Sequence, residues 1–112
     1  MTPLCAPSDH TPAGPPLDEF ELDHAARMFR AIGDIERLRL IVLLARGPAC
    51  VTELATTEGE TLSTISQRLR VLRNENLIVR ERHGKHIHYK LADAHVAELV
   101  SNVMAHTREH RR

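Results

Sequence analysis

Between Leu77 and Leu91 the apolar residues stop recurring at helical spacing and begin to alternate. Ile87, Tyr89 and Leu91 take turns with His86, His88 and Lys90, the period of a strand with one face turned inward. His83-Gly84-Lys85 sits ahead of them as a hairpin tip. The chain therefore holds one small sheet, and every other patterned segment has to be helical. The fold class follows: mainly α with a small β-hairpin (α+β).

The helical segments can be read off one by one. Residues 1–16 contain five of the six prolines and no core pattern, so they form a Pro-rich arm ahead of a domain spanning 17–112. From Leu17, Phe20, His24, Met28 and Ile32 recur at spacing four, and Gly33 ends that helix. Asp34 caps a second helix through Leu38, Ile41 and Leu44, which stops at Gly47-Pro48. Ala49-Cys50-Val51 is a short connector, and Thr52 is the expected N-cap of a brief third helix over Glu53–Thr56. After a turn at Glu58-Gly59-Glu60, Thr61 caps a fourth helix that buries Ile65, Leu69 and Leu72. A last helix runs from about Asp93, with Val96, Leu99, Val100, Val103 and Met104 in one stripe. Helix, turn, helix and hairpin in that order make a winged helix-turn-helix.

Formal charge is zero overall but unevenly spread. Residues 62–90 carry a net of +5, an electrostatic footprint for a polyanion. With only three aromatics there is no base-stacking platform, which points away from single strands and toward duplex DNA. In a helix-turn-helix the second helix enters the major groove by its N-terminal end. Ser63, Thr64, Ser66 and Gln67 lie there and suit base edges. Arg68, Arg70 and Arg73 suit phosphates, and Arg82, Lys85 and His86 at the hairpin tip suit a neighbouring groove or backbone. Two cysteines make no disulfide framework. The N-terminus lacks a signal peptide's basic flank and apolar run, and no stretch is apolar enough to span a membrane. The expected compartment is a reducing cytoplasm.

The terminal helix carries a second chemistry. Asp93 and His95 stand at its start, His106 and Glu109 near its end. Eleven residues of helix place the two pairs roughly 16 Å apart, whereas zinc ligands lie about 2 Å from the ion. One straight helix cannot bring them to one metal. Two copies lying antiparallel across a twofold axis can, because facing residue numbers then add to a constant. The His95–His106 and Asp93–Glu109 pairs agree on that constant to within one. The pattern asks for a homodimer with two intersubunit sites of imidazoles and carboxylates, a set suited to Zn(II), with Co(II) a substitute. Ni(II) wants more ligands, and His110 could provide one. Asp93 is equally a natural N-cap.

With these stretches in place the chain resembles the ArsR/SmtB family of metal-sensing bacterial repressors. The likeness rests on residues 31–39, on Cys50-Val51-Thr52-Glu53-Leu54-Ala55, on residues 63–73 and on the wing Gly84-Lys85-His86-Ile87-His88-Tyr89. It implies a homodimer that binds operator DNA when metal-free and lets go when metal binds, releasing transcription of an efflux or storage gene. Asp93, His95, His106 and Glu109 match the terminal-helix site of the zinc-sensing branch. The family's second site, between the arm and the third helix, would here draw on Cys5, Asp9 or His10, Cys50 and Glu53. Thr52 stands where arsenic and cadmium sensors carry a second cysteine.

Other readings keep parts of this pattern. The same repressor could sense thiol oxidation or a soft metal through Cys5 and Cys50, although a lone Cys50 is more often a small buried hydrophobe. His83, His86 and His88 cluster on the wing, where DNA contact, solvent exposure and weak metal binding are the alternatives. A zinc hydrolase on His95 and His106 needs an open coordination position and a cleft. The chain has neither a nucleophile elbow nor a phosphate loop, so no enzyme activity is expected.

Overall fold

The computed structural model describes residues 14–111. Five helices and a hairpin follow in the order α1 (Glu19–Ile32), α2 (Ile35–Ala45), α3 (Val51–Glu58), α4 (Leu62–Asn74), β1 (Ile78–His83), β2 (His86–Leu91) and α5 (Ala94–Glu109). This is the winged helix-turn-helix that the change of period predicts: α3 and α4 form the pair, β1 and β2 the wing.

Carboxylates and hydroxyls start the helices. The Asp18 carboxylate accepts from the Phe20 amide at 2.9 Å, the Asp34 carboxylate from Arg37 at 3.0 Å and the Thr61 hydroxyl from Thr64 at 3.2 Å. Each satisfies an amide that the helix itself leaves free. The junction of α1 and α2 is tied from the other side as well. Arg37 Nε donates to the Ala31 carbonyl at 2.7 Å, covering an orphan acceptor at the end of α1. Gly33 fits this corner because a Cβ there would sit 3.1 Å from the Phe29 carbonyl oxygen.

The third helix departs from the expectation. It begins at Val51 and runs to Glu58, with Cys50 rather than Thr52 as its N-cap. Two contacts move the boundary. Glu53 reaches back to accept the Cys50 amide at 3.2 Å, half of a capping box. Ala49 pairs with Tyr89 by two backbone bonds of 3.0 and 2.8 Å, so the connector is pinned to the wing as a third, one-residue strand position. Gly59 then ends α3 in the left-handed region at φ 64, where only glycine is unstrained.

Strands β1 and β2 are antiparallel, with Ile78 opposite Leu91, Arg80 opposite Tyr89, Glu81 opposite His88 and His83 opposite His86. Gly84, at φ 64, opens the two-residue turn, as a tight hairpin demands of its first central residue. Because successive side chains alternate, the hairpin has two unlike faces. Ile78, Arg80, Tyr89 and Leu91 share one; Glu81, His83, His86, His88 and Lys90 share the other.

Leu40, Ile41, Ile65, Leu69, Leu72, Leu77 and Ile78 are the fully buried side chains, from α2, α4, the turn after α4, and β1. No polar or charged residue is buried among the described residues. Much of the apolar pattern of the two terminal helices stays outside this core. Phe20 is 70% exposed and Phe29 59% on α1, while Leu99 and Val103 are exposed on α5. No helix among the described residues is long and apolar enough to cross a membrane.

Candidate metal and nucleic-acid sites

The start of α5 is built by Asp93. Its carboxylate accepts the Val96 amide at 3.1 Å, so the capping role is present, and the same oxygen lies 3.6 Å from His95 Nδ1. His95 is 93% exposed and borders an apolar hollow lined by Met28, Phe29, Val96 and Leu99. At the other end, ligand atoms of His106, Glu109 and His110 all lie within 4.8 Å of one another, and all three residues are exposed. The rings of His106 and His110 are 4.2 Å apart between centroids, and His110 Nδ1 is 2.9 Å from the His106 carbonyl oxygen. One helical turn separates the two imidazoles, and Glu109 beside them makes a half-shell from a single chain. No single chain joins that half-shell to Asp93 and His95, for the spacing reason already given.

The second candidate site is described only on its helical side; Cys5, Asp9 and His10 lie outside the described residues. Cys50 is half-buried at the start of α3. Hydrogen bonds from the Cys50 thiol and amide hold the Glu53 carboxyl below its usual range, and nearby His88 adds a smaller effect in the same direction. Glu53 is thus occupied as a cap, and a metal would have to compete for it.

On the helix-turn-helix, Ser63, Ser66, Gln67 and Arg70 are exposed along α4, while Thr64 is half-buried with its hydroxyl bonded to Thr61 at 2.9 Å. Arg68 behaves differently from its neighbours. It pairs with Glu36 at 3.6 Å and Glu60 at 3.5 Å, and its charge is partly spent on holding α4 to α2 and to the turn. Arg82 Nε donates to the Gly84 carbonyl at 3.0 Å and stiffens the wing tip, while Lys85 and His86 are exposed there. His86 lies on the opposite strand face from Arg82.

Folding adds Arg80, which local patterning missed, to two arginines that it had picked out. Arg70 and Arg73 of α4 and Arg80 of β1 converge on a polar hollow of about 200 Å3, with Ser66 and Tyr89 completing its wall. Three guanidiniums line one hollow, with none of them ion-paired among the described residues, a lining that suits an anion. Arg80 stands opposite Tyr89 in the hairpin register, so the signal was present in the strand parity, but α4's place over that face was not.

Comparison with known proteins places this geometry. Residues 34–79, which hold α2 to the start of β1, match the family described as "Bacterial regulatory protein, arsR family". The chain is 40% identical over 92 residues to the HTH-type transcriptional regulator NmtR of Mycobacterium tuberculosis, covering 82% of this chain and 77% of that one. It is 41% identical over 91 residues to the transcriptional repressor SmtB homolog of Synechocystis sp., covering 79% and 69%. Among solved structures it is similar to the homodimeric winged helix-turn-helix DNA-binding domain of Mb0332 from Mycobacterium bovis, with a TM-score of 0.78, 34% identity, and coverage of 81% and 84%. These relatives are regulators and not enzymes, which removes the hydrolase reading. The chain belongs to the ArsR/SmtB family of winged helix-turn-helix, metal-sensing transcriptional repressors.

Proposed function

We propose that this chain is a homodimeric, cytoplasmic repressor that holds double-stranded operator DNA when metal-free and releases it on binding Zn(II) between its α5 helices. The observation that carries the reading is the convergence of His106, Glu109 and His110 within 4.8 Å on the last turn of α5. Asp93 and His95 of the other chain would complete the shell. Four of these five groups serve tetrahedral Zn(II). Co(II) would substitute in the same set, and His110 is the extra donor that would suit Ni(II), which takes a larger shell. The exposed apolar residues of α1 and α5 supply a seam that would bring the two α5 helices together. In the cell, release would switch on metal efflux or storage genes.

The residues divide the work on DNA. Gln67 and the serines would read base edges, while Arg70, Arg73 and Arg80 would seat a backbone phosphate in their shared hollow. Truncating Gln67 should relax base preference at one position by about 1–3 kcal/mol. Arg70→Ala should weaken all sequences alike and lower the slope of log affinity against log salt by roughly one. Both are read by fluorescence anisotropy on operator and mismatched duplexes across a salt series.

Operator release rests on linkage. Four side chains clamped across the dimer axis would fix how the subunits sit, hence the separation of the two α4 helices. Half-sites on a duplex lie about 34 Å apart, so a changed separation costs contacts on both sides. Coupling of about 1–3 kcal/mol corresponds to roughly a 5–150-fold loss of operator affinity. The test is to titrate Zn(II) into the complex of this protein with an operator selected from a random DNA pool. Undiminished affinity at saturating zinc would reject the proposal. The visible spectrum of the Co(II) form, four-coordinate or larger, reports whether His110 joins.

A further inference from the structure

The hairpin face turned away from the arginine hollow carries an unusual set of side chains. Cross-strand register puts His83 opposite His86 and Glu81 opposite His88, so three imidazoles and a carboxylate share one face of a two-stranded ribbon. Pairs of these groups already approach one another, and small side-chain rotations are needed before three donor atoms meet. His83 Nε2 is 3.4 Å from Glu81 Oε2, and the His83 and His88 ring centroids are 5.4 Å apart. Two imidazoles on one tetrahedral ion, each nitrogen about 2.0–2.1 Å from it, place their centroids roughly 5 Å apart. The His86 ring is farther from His88, at 6.5 Å, and is exposed at the tip, so it joins only after a side-chain rotation.

We propose that Glu81, His83 and His88, with His86 as a fourth donor, form a divalent-metal site on the wing, separate from α5 and complete within one chain. Its ligands are imidazole-rich and borderline in softness, which selects Zn(II) among the ions a cytosol offers in exchangeable form, and excludes Ca(II) and Mg(II). One ammonium, that of Lys90, adjoins the site. Lys90 holds Glu81 by Oε1 at 2.6 Å and leaves Oε2, the oxygen facing His83, for the metal. Glu53 of α3 lies close enough to His88 for their charges to interact, so a second carboxylate borders the site. The scaffold is rigid where it matters: Tyr89, between His88 and Lys90, is buried and locked to Ala49. Site formation needs no second subunit, so it does not depend on the dimer reading above.

The experiment isolates this site in the full chain. A background variant with His106→Ala, His110→Ala, Cys5→Ser and Cys50→Ser removes donors from both other candidate sites. Equilibrium dialysis with Zn(II) is expected to retain one ion per chain in that background. Adding His83→Asn and His88→Asn should lose it, with the far-ultraviolet circular dichroism unchanged. Retention of no zinc in the background overturns the proposal, and so does an ion that survives the hairpin substitutions. Nitrogen-15 spectra of histidine side chains in the unaltered protein give a check that needs no variant. Zinc should shift the ring resonances of His83 and His88, and unmoved resonances at two equivalents or more refute the site.

Discussion

Replacing His106 with alanine is expected to leave the metal-free protein bound to its operator and to make the complex indifferent to zinc. His106 is exposed on the last turns of α5, and its ring packs on that of His110. Its removal therefore costs little folding energy, since exposed positions usually stay within about ±0.5 kcal/mol. The metal shell loses its central donor. The full coupling, roughly 5–150-fold in operator affinity, should collapse toward onefold. Reciprocity provides a second measurement. Operator DNA should lower the zinc affinity of the unaltered protein by the same factor, and should not do so for the variant. Glu98, exposed on the same helix, is the control position; Glu98→Ala should keep the response. Anisotropy of a labelled operator at fixed ionic strength reads all three proteins. A zinc response that persists in His106→Ala would move the sensing site elsewhere, to the wing or to Cys50.

The largest effect on stability belongs to Leu69. It is fully buried in α4, where the recognition helix meets the core formed with α2 and β1. Truncation to alanine removes apolar contacts and leaves a cavity, a change that costs about 2–5 kcal/mol. A domain of this size has roughly 5–15 kcal/mol in total. Leu69→Ala should therefore lower Tm by more than roughly 8 °C, at about 4–8 °C per kcal/mol. It should also loosen α4, so operator affinity falls even at temperatures where the chain is folded. Leu62, on the same helix but 54% exposed, is the comparison. If Leu62→Ala and Leu69→Ala shift Tm equally, the core assignment is wrong.

The difference between these two leucines was not readable without coordinates, because Leu62 falls on the same stripe as Ile65, Leu69 and Leu72 and is exposed as the first residue of the helix. Most helix starts were legible. Asp34, Thr61 and Asp93 are residue types that cap, each just ahead of an apolar repeat, and each accepts the amide expected of it. The third helix was not legible to the same degree. Cys50 is a poor cap by type, and the contacts that make it one come from Glu53 reaching back and from Tyr89, thirty-nine residues on. Local preference cannot report a partner brought in by the tertiary fold. Arg68 is a similar case. Its neighbours in α4 suggest a phosphate ligand, but Glu36 and Glu60 lie within ion-pair distance only once α2 and the turn are packed.

Side-chain period and charge were enough to determine the order of the elements, most of their bounds, the positive face and four donors, Asp93, His95, His106 and Glu109, that cannot meet within one chain. Those are properties of spacing along a rod or a ribbon, and spacing is written into the chain. Which groups converge from different elements was decided by packing alone. The arginine hollow needs α4 laid over one face of the wing, and the histidine face needs the register that puts His83 across from His86. A one-residue slip would send every one of those side chains to the opposite face, so burial of Ile78 and Tyr89 is what finally selects the arrangement.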